Sequence, residues 1–192
     1  TASKLSAARK KVLAPLGKQL ATLLANLGMP NATVSIDAQP TPLSASGTDR
    51  IDILFSANKG IAPKALSQVA SGGEFSRLMF CIKYVMAEKT AMPTLVLDEI
   101  DSGISGEVAI KLGNMMKDIS NRHQLIVISH LPQIAAKGDA HYFVYKDHSA
   151  SKTTSSIRLL SHDDRVAEIA KMIGGEKRSK IAMENAMELI RN

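Results

Sequence analysis

The sequence predicts an α/β fold: a mostly parallel sheet flanked by helices, preceded by an N-terminal helix and an antiparallel strand pair. Three observations carry that expectation. Beyond residue 70 the chain adopts a helix, strand, helix, strand order, the alternation from which parallel sheets are built. Residues 94–97 and 124–129 are short apolar runs of the kind found in central parallel strands buried on both faces. Between them Val108, Leu112, Met115 and Ile119 recur at helical spacing, so a βαβ crossover follows.

The elements can be justified in order. Leu5, Val12, Leu16, Leu20, Leu23 and Leu27 lie at three-, four- and seven-residue steps, on one face of a helix. Gly28 should end that helix, and Pro15 should kink it or mark a restart. Val34, Ile36 and Ala38 alternate with polar residues, as do Ile51, Ile53 and Phe55, with a Pro/Ser/Gly-rich stretch at 40–49 between them. That pattern predicts two antiparallel strands. Residues 59–69 read as a loop and 75–88 as a largely buried helix, with Ser105 as the N-cap of the helix that follows the first apolar strand. Residues 141–145 and 156–160 read as strands joined by a polar turn. Helices over 164–173, stopped by Gly174-Gly175, and over 177–190 finish the chain.

At 192 residues and 45% hydrophobic, the chain is long enough for one sizeable core and short for two. Cys81 is the single cysteine and stands among Met79, Phe80 and Ile82, so no internal disulfide forms and the thiol reads as packing in a reducing cytoplasm. Lys and Arg total 24 against 18 Asp and Glu, a net charge of +6, which favours nucleic acid as a partner. With 4% aromatics and no Trp, contact with DNA would go mainly to phosphates. No acidic residue precedes Asp37, and Arg9, Lys10 and Lys11 lie on the first helix. They form either a solvated face or a DNA contact. Lys18, Gln19 and Asn26 interrupt the apolar stretch beginning at Val12, so neither a signal peptide nor a membrane span is expected. The first residue is Thr, and the chain reads as a piece of a longer protein.

Three motifs carry chemistry. Ser71-Gly72-Gly73-Glu74 fits a capping box, yet two glycines before a helix also leave backbone amides open at its positive end, where a phosphate would be held. Leu95-Val96-Leu97 runs into Asp98-Glu99, at the carboxyl end of a strand, where open α/β sheets bind ligands. There Asp98 would hold Mg²⁺ through a water and Glu99 would orient or deprotonate an attacking water. Ile126-Val127-Ile128-Ser129-His130 repeats the pattern and places His130 at the matching end, in reach of a γ-phosphate. Asp101-Ser102-Gly103 is a turn that, beside Glu99, would also sense a partner subunit across a shared nucleotide. Arg77, one helical turn past the glycine pair, is either a surface cation or a phosphate contact. A P-loop is missing: the only Gly-Lys pair, Gly17-Lys18, is followed by Gln19 and preceded at the required distance by Val12.

In order, these segments resemble the signature, Walker B, D-loop and H-loop of ATP-binding-cassette ATPases. More closely, Ala-Ser-Gly-Gly-Glu-Phe-Ser-Arg at 70–77, Leu-Asp-Glu-Ile-Asp-Ser-Gly-Ile-Ser-Gly at 97–106, Ile-Ser-His-Leu-Pro-Gln-Ile-Ala-Ala at 128–136 and Arg-Val-Ala-Glu-Ile-Ala-Lys-Met-Ile-Gly-Gly at 165–175 resemble the C-terminal part of the RecN family. These are bacterial DNA-repair ATPases related to the structural-maintenance-of-chromosomes (SMC) proteins. The resemblance implies the C-terminal lobe of an ATPase head, with residues 1–28 as the end of a returning coiled-coil arm and 29–192 as the lobe. It implies ATP and Mg²⁺ as cofactors. The partners it implies are an N-terminal P-loop lobe of the same protein, a second head in a homodimer and DNA, in a bacterial cytoplasm at the nucleoid. Ser71, Gly72, Gly73 and Glu74 would then meet nucleotide held by the opposite head, while Asp98, Glu99 and His130 act on that of their own. Lacking a P-loop, the chain alone should hydrolyse little or no ATP. Two alternatives remain: the head lobe of another SMC-like chromosome-organising ATPase, or a non-catalytic interaction module of the same fold.

Overall fold

The computed structural model describes residues 1–69, 72–90, 92–98, 100–147, 154–176 and 179–191. Helix α1, Ala2–Asn26, runs through Pro15 without ending. It stops where Gly28 takes φ 82° and the Met29 amide donates back to the Leu24 carbonyl at 3.0 Å. That left-handed step is why a glycine stands just past the helix. Only the second half of α1 is deeply packed: Leu20, Leu24 and Leu27 are buried, while Leu5 and Val12 are exposed.

Strands β1 (Thr33–Ser44) and β2 (Gly47–Ser56) form an antiparallel hairpin, and β3 (Lys64–Ala65) pairs with β2. The hairpin extends well into the Pro/Ser/Gly-rich stretch expected to separate the strands. Because β1 is an edge strand, Pro40 and Pro42 can stand in it, and the register shifts between Pro40 and Ser44. The expected loop over 59–69 contains β3 and a 3₁₀ turn, Leu66–Gln68.

Helix α2 (Gly73–Ala87), strand β4 (Thr94–Asp98), helix α3 (Gly106–Ser120) and strand β5 (Gln124–Ile128) follow in the expected order. β4 and β5 pair in parallel, Thr94 opposite Gln124 through Asp98 opposite Ile128. The α/β class stands, but among the described residues parallel pairing is confined to these two strands. β1–β2 and β6 (Tyr142–Asp147) with β7 (Thr154–Leu159) are antiparallel, as short connections between consecutive strands require. The apolar runs were expected to be buried on both faces. Instead Leu95 and Leu97 point into the core, whereas Val96, Ile126 and Ile128 are 54%, 48% and 58% exposed.

One core joins the end of α1 to Leu78, Phe80 and Cys81 of α2, to Leu95 and Leu97, and to Leu112, Met116 and Ile119 of α3. Each fully buried Leu contributes about 1.5–3 kcal/mol. Burial pushes the Cys81 thiol up to about 12, which suits packing and not nucleophilic work. A smaller cluster gathers around α4 (Pro132–Ala135), α5 (His162–Gly174) and α6 (Lys180–Arg191). There Ala136, Ala170, Ala182 and Ala186 surround Val166 and Ile169. The expected start of the last helix at 177 lies outside the described residues.

Candidate functional site

The parallel register brings the carboxyl ends of β4 and β5 side by side, with Asp98 opposite Ile128. Asp98 is exposed and shares the open face of the pair with Val96, Ile126 and Ile128. Glu99 and Ser71, both expected site residues, lie outside the described residues.

Beyond β4 the chain turns inward at Asp101. Its carboxylate is 1% exposed and one oxygen, Oδ2, meets three groups from the end of β5. The Ser129 hydroxyl donates to it at 2.6 Å, the His130 amide at 3.1 Å, and His130 Nδ1 stands 3.2 Å away. The Ser129 hydroxyl in turn accepts from the Leu131 amide at 3.1 Å. A carboxylate so deeply buried needs such partners, since isolated charge is costly away from water. The His130 side chain, in contrast, is 70% exposed. Asp101 is therefore turned toward the end of β5 in its own chain. Of the expected sensing turn, only Gly103 is exposed.

Helix α2 begins at this same turn. Its N-cap is Gly72, so the expected capping box is not what starts the helix; Glu74 lies exposed in the first turn. No side chain among the described residues caps the first amides of this 15-residue helix. A Cβ on Gly73 would stand 2.3 Å from the Ser102 carbonyl oxygen, so only glycine fits this approach. The same carbonyl accepts from Arg77 at 3.1 Å, and Arg77 Nε points at the Met29 sulfur at 3.4 Å. Arg77 is buried. Burial pulls its pKa down, with Glu74 opposing. It is thus an internal strut between α2, Met29 just beyond α1 and the turn after β4, and not a surface cation.

The basic residues of α1 are separate from this cluster. Arg9 pairs with Asp49 of β2 at 3.5 Å, beside a Ser6 hydroxyl bond to the same carboxylate at 2.7 Å. Lys10 and Lys11 are exposed. Sequence reasoning gave Ser129 no role; its position just before His130 at a strand end was the available signal.

Asp98 offers one hard oxygen donor, and among the described residues no group of three metal-ligating side chains exists. A single carboxylate is a donor of the kind Mg²⁺ takes, together with phosphates and waters. Among the described residues no helix is long and apolar enough to cross a membrane.

The fold matches SMC head domains. The Smc head domain with coiled coil and joint from Pyrococcus yayanosii superposes with a TM-score of 0.62 at 20% identity, over 84% of this chain and 30% of that one. A chain from work on ATP-driven dimerisation and DNA-stimulated activation of SMC ATPases gives 0.55 at 18% identity, over 87% of this chain and 96% of that one. The molecule is thus an α/β protein with the fold of an SMC-type ATPase head.

Sequence relatives are more specific. DNA repair protein RecN of Rickettsia conorii is 39% identical over 189 residues, covering 98% of this chain and 35% of the relative. RecN of Deinococcus radiodurans is 39% identical over 188 residues, 97% and 33% respectively. RecN of Haemophilus influenzae is 33% identical over 192 residues, 99% and 34%. No protein-family model matches the chain. Over nearly its whole length the chain is similar to the RecN DNA repair proteins, and it spans about a third of the length of the curated relatives it matches.

Proposed function

We propose that this chain is the C-terminal lobe of a RecN ATPase head, half of a nucleotide site whose P-loop lies elsewhere in the polypeptide. The observation that carries this reading is the open face of β4–β5. Val96, Ile126 and Ile128 are left exposed beside Asp98, in a chain covering a third of its relatives. An N-terminal P-loop lobe would cover those side chains and bring its nucleotide to the strand ends. Residues 1–28 would be the end of a returning arm, rooted in the lobe by Leu20, Leu24 and Leu27.

Bound ATP with Mg²⁺ supplies the phosphoryl group to be attacked and the charge that offsets its transition state. The chain's own residues then divide the work. Asp98 would hold the metal through its hydration shell, Glu99 would orient the attacking water, and His130 would present its ring to the terminal phosphate. Ser71, Gly72, Gly73 and Glu74 would meet the nucleotide of a second head, so turnover would require two heads. In the parent protein this cycle would drive head dimerisation and the holding of DNA ends during double-strand-break repair and recombination. Lys10 and Lys11 are the candidate phosphate contacts on the arm, with Arg9 already engaged by Asp49. The setting would be the bacterial cytoplasm, at the nucleoid. The lobe alone should be inactive.

In the intact protein Glu99→Gln is expected to trap an ATP-bound dimer, seen as a nucleotide-dependent doubling of mass in solution, with turnover lost. Unchanged turnover would contradict the assignment.

A further inference from the structure

We propose that the β1–β2 hairpin is a strap that holds the first half of α1 to the lobe across a hinge at Pro15, so that the helix leaves the lobe in one direction. The two halves of α1 are held by different means. Beyond Pro15, Leu20, Leu24 and Leu27 are buried in the main core, and β1 lies so close that a Cβ on Gly17 would stand 2.8 Å from the Val34 carbonyl oxygen. Before Pro15, Leu5 and Val12 are 41% and 55% exposed, so apolar burial does little to hold that half. Proline has no amide hydrogen and removes the helical bond to the carbonyl four residues back, here that of Lys11. Such a gap is where a helix bends.

The hairpin reaches past that gap. Strands β1 and β2 have 12 and 10 residues, and at about 3.3 Å per residue they extend roughly 30–40 Å. Asp49 of β2 stands opposite Pro40, where the register begins to shift, and shifts of this kind re-aim side chains. Its side chain is 5% exposed. The Ser6 hydroxyl donates to one carboxylate oxygen at 2.7 Å, and the Arg9 guanidinium donates to the other at 3.5 Å. A carboxylate buried to that degree depends on such partners, and both come from the far side of Pro15. At the turn Gly47 takes φ 105°, and a Cβ there would meet Arg9 at 3.1 Å and Leu5 at 3.2 Å. The tip of the hairpin therefore packs on the helix as well as bonding to it. That α1 goes on into an arm rests on the function proposed above; the strap does not. In the intact protein the strap would set the angle at which the arm meets the head.

Spin-label distances measured on this chain test the strap, since Cys81 is buried and the exposed sites Ala8, Thr22 and Asn114 can carry labelled cysteines. Asn114 of α3 is the fixed point. The distance from Ala8→Cys to Asn114→Cys should be narrowly distributed and should broaden in Asp49→Ala, while that from Thr22→Cys to Asn114→Cys stays narrow in both. A broad Ala8 distribution with Asp49 intact would overturn the proposal, and so would one that stays narrow in Asp49→Ala. Should Asp49→Ala fail to fold, which the Thr22 pair reports, Ser6→Ala/Arg9→Ala removes both partners from the helix side. It should broaden the Ala8 distribution, and a distribution left narrow would overturn the proposal. Adding Pro15→Ala to Asp49→Ala supplies the missing helical bond and should narrow the Ala8 distribution again; one that stays broad would remove Pro15 as the hinge. None of these measurements uses ATP or a P-loop lobe, so failure of the ATPase reading leaves them to judge the strap.

Discussion

The two faces of the β4–β5 pair are built from the same kind of residue and meet different surroundings. On one side Leu95 and Leu97 are 5% and 4% exposed and belong to the main core; on the other Val96, Ile126 and Ile128 stay about half exposed or more. Strand alternation alone would give one apolar and one polar face. Here both are apolar, the pattern of a strand meant to be covered twice. The difference teaches that the core is built on one face, while the other is the one the proposed P-loop lobe would cover.

Four substitutions or conditions should break or sharpen that contrast. Leu97→Ala attacks the closed face and is expected to cost about 2–5 kcal/mol, measured as a fall in the urea midpoint of this chain; a loss below that range would mean the core side is loosely packed. Gly73→Ala acts where the start of α2 packs against the turn after β4. Its Cβ would stand 2.3 Å from a backbone oxygen, and overpacking of this kind costs about 1–3 kcal/mol. The same denaturation series reads it, and an unaffected midpoint would show that the turn at Ser102 yields freely.

Acidification should act away from both faces, through His141. Burial and nearby Arg165 lower its pKa from 6.5, with Glu168 opposing. The neutral ring is favoured in the folded state, so the unfolded chain binds more protons over the window between the two values. This contribution is fully present above pH 6.5 and is lost as the pH falls below that through the folded value. Urea midpoints over a pH series should show the decline, and His141→Gln should flatten it; an unchanged slope would remove His141 as its source. The smallest effect on stability should come from Ile126→Ser on the open face, within about 0.5 kcal/mol for an exposed site. Yet calorimetric binding of a separately produced P-loop lobe should be lost in that variant. Full binding would mean the open face is not the one covered.

Much of this architecture was legible in the sequence because it rests on periodicity. The leucines of α1, the apolar runs of β4 and β5, and Val108 to Ile119 of α3 each announce their element. The prolines at 40 and 42 hid the length of the first hairpin, since their tolerance depends on β1 being an edge strand, which is a tertiary fact. The site divided in the same way. Asp98, His130 and the glycine pair stood out by their placement at strand and helix ends. That Asp101 and Arg77 point inward was not legible, because each takes its direction from a partner distant in sequence: Ser129 and His130 for the one, Ser102 and Met29 for the other.

The most direct test of the central claim is ATP turnover by this chain mixed with a separately produced P-loop lobe, against each piece alone and a Glu99→Gln mixture. The account predicts turnover only in the wild-type mixture. Equal turnover in the Glu99→Gln mixture, or two folded lobes that do not bind one another, would contradict it.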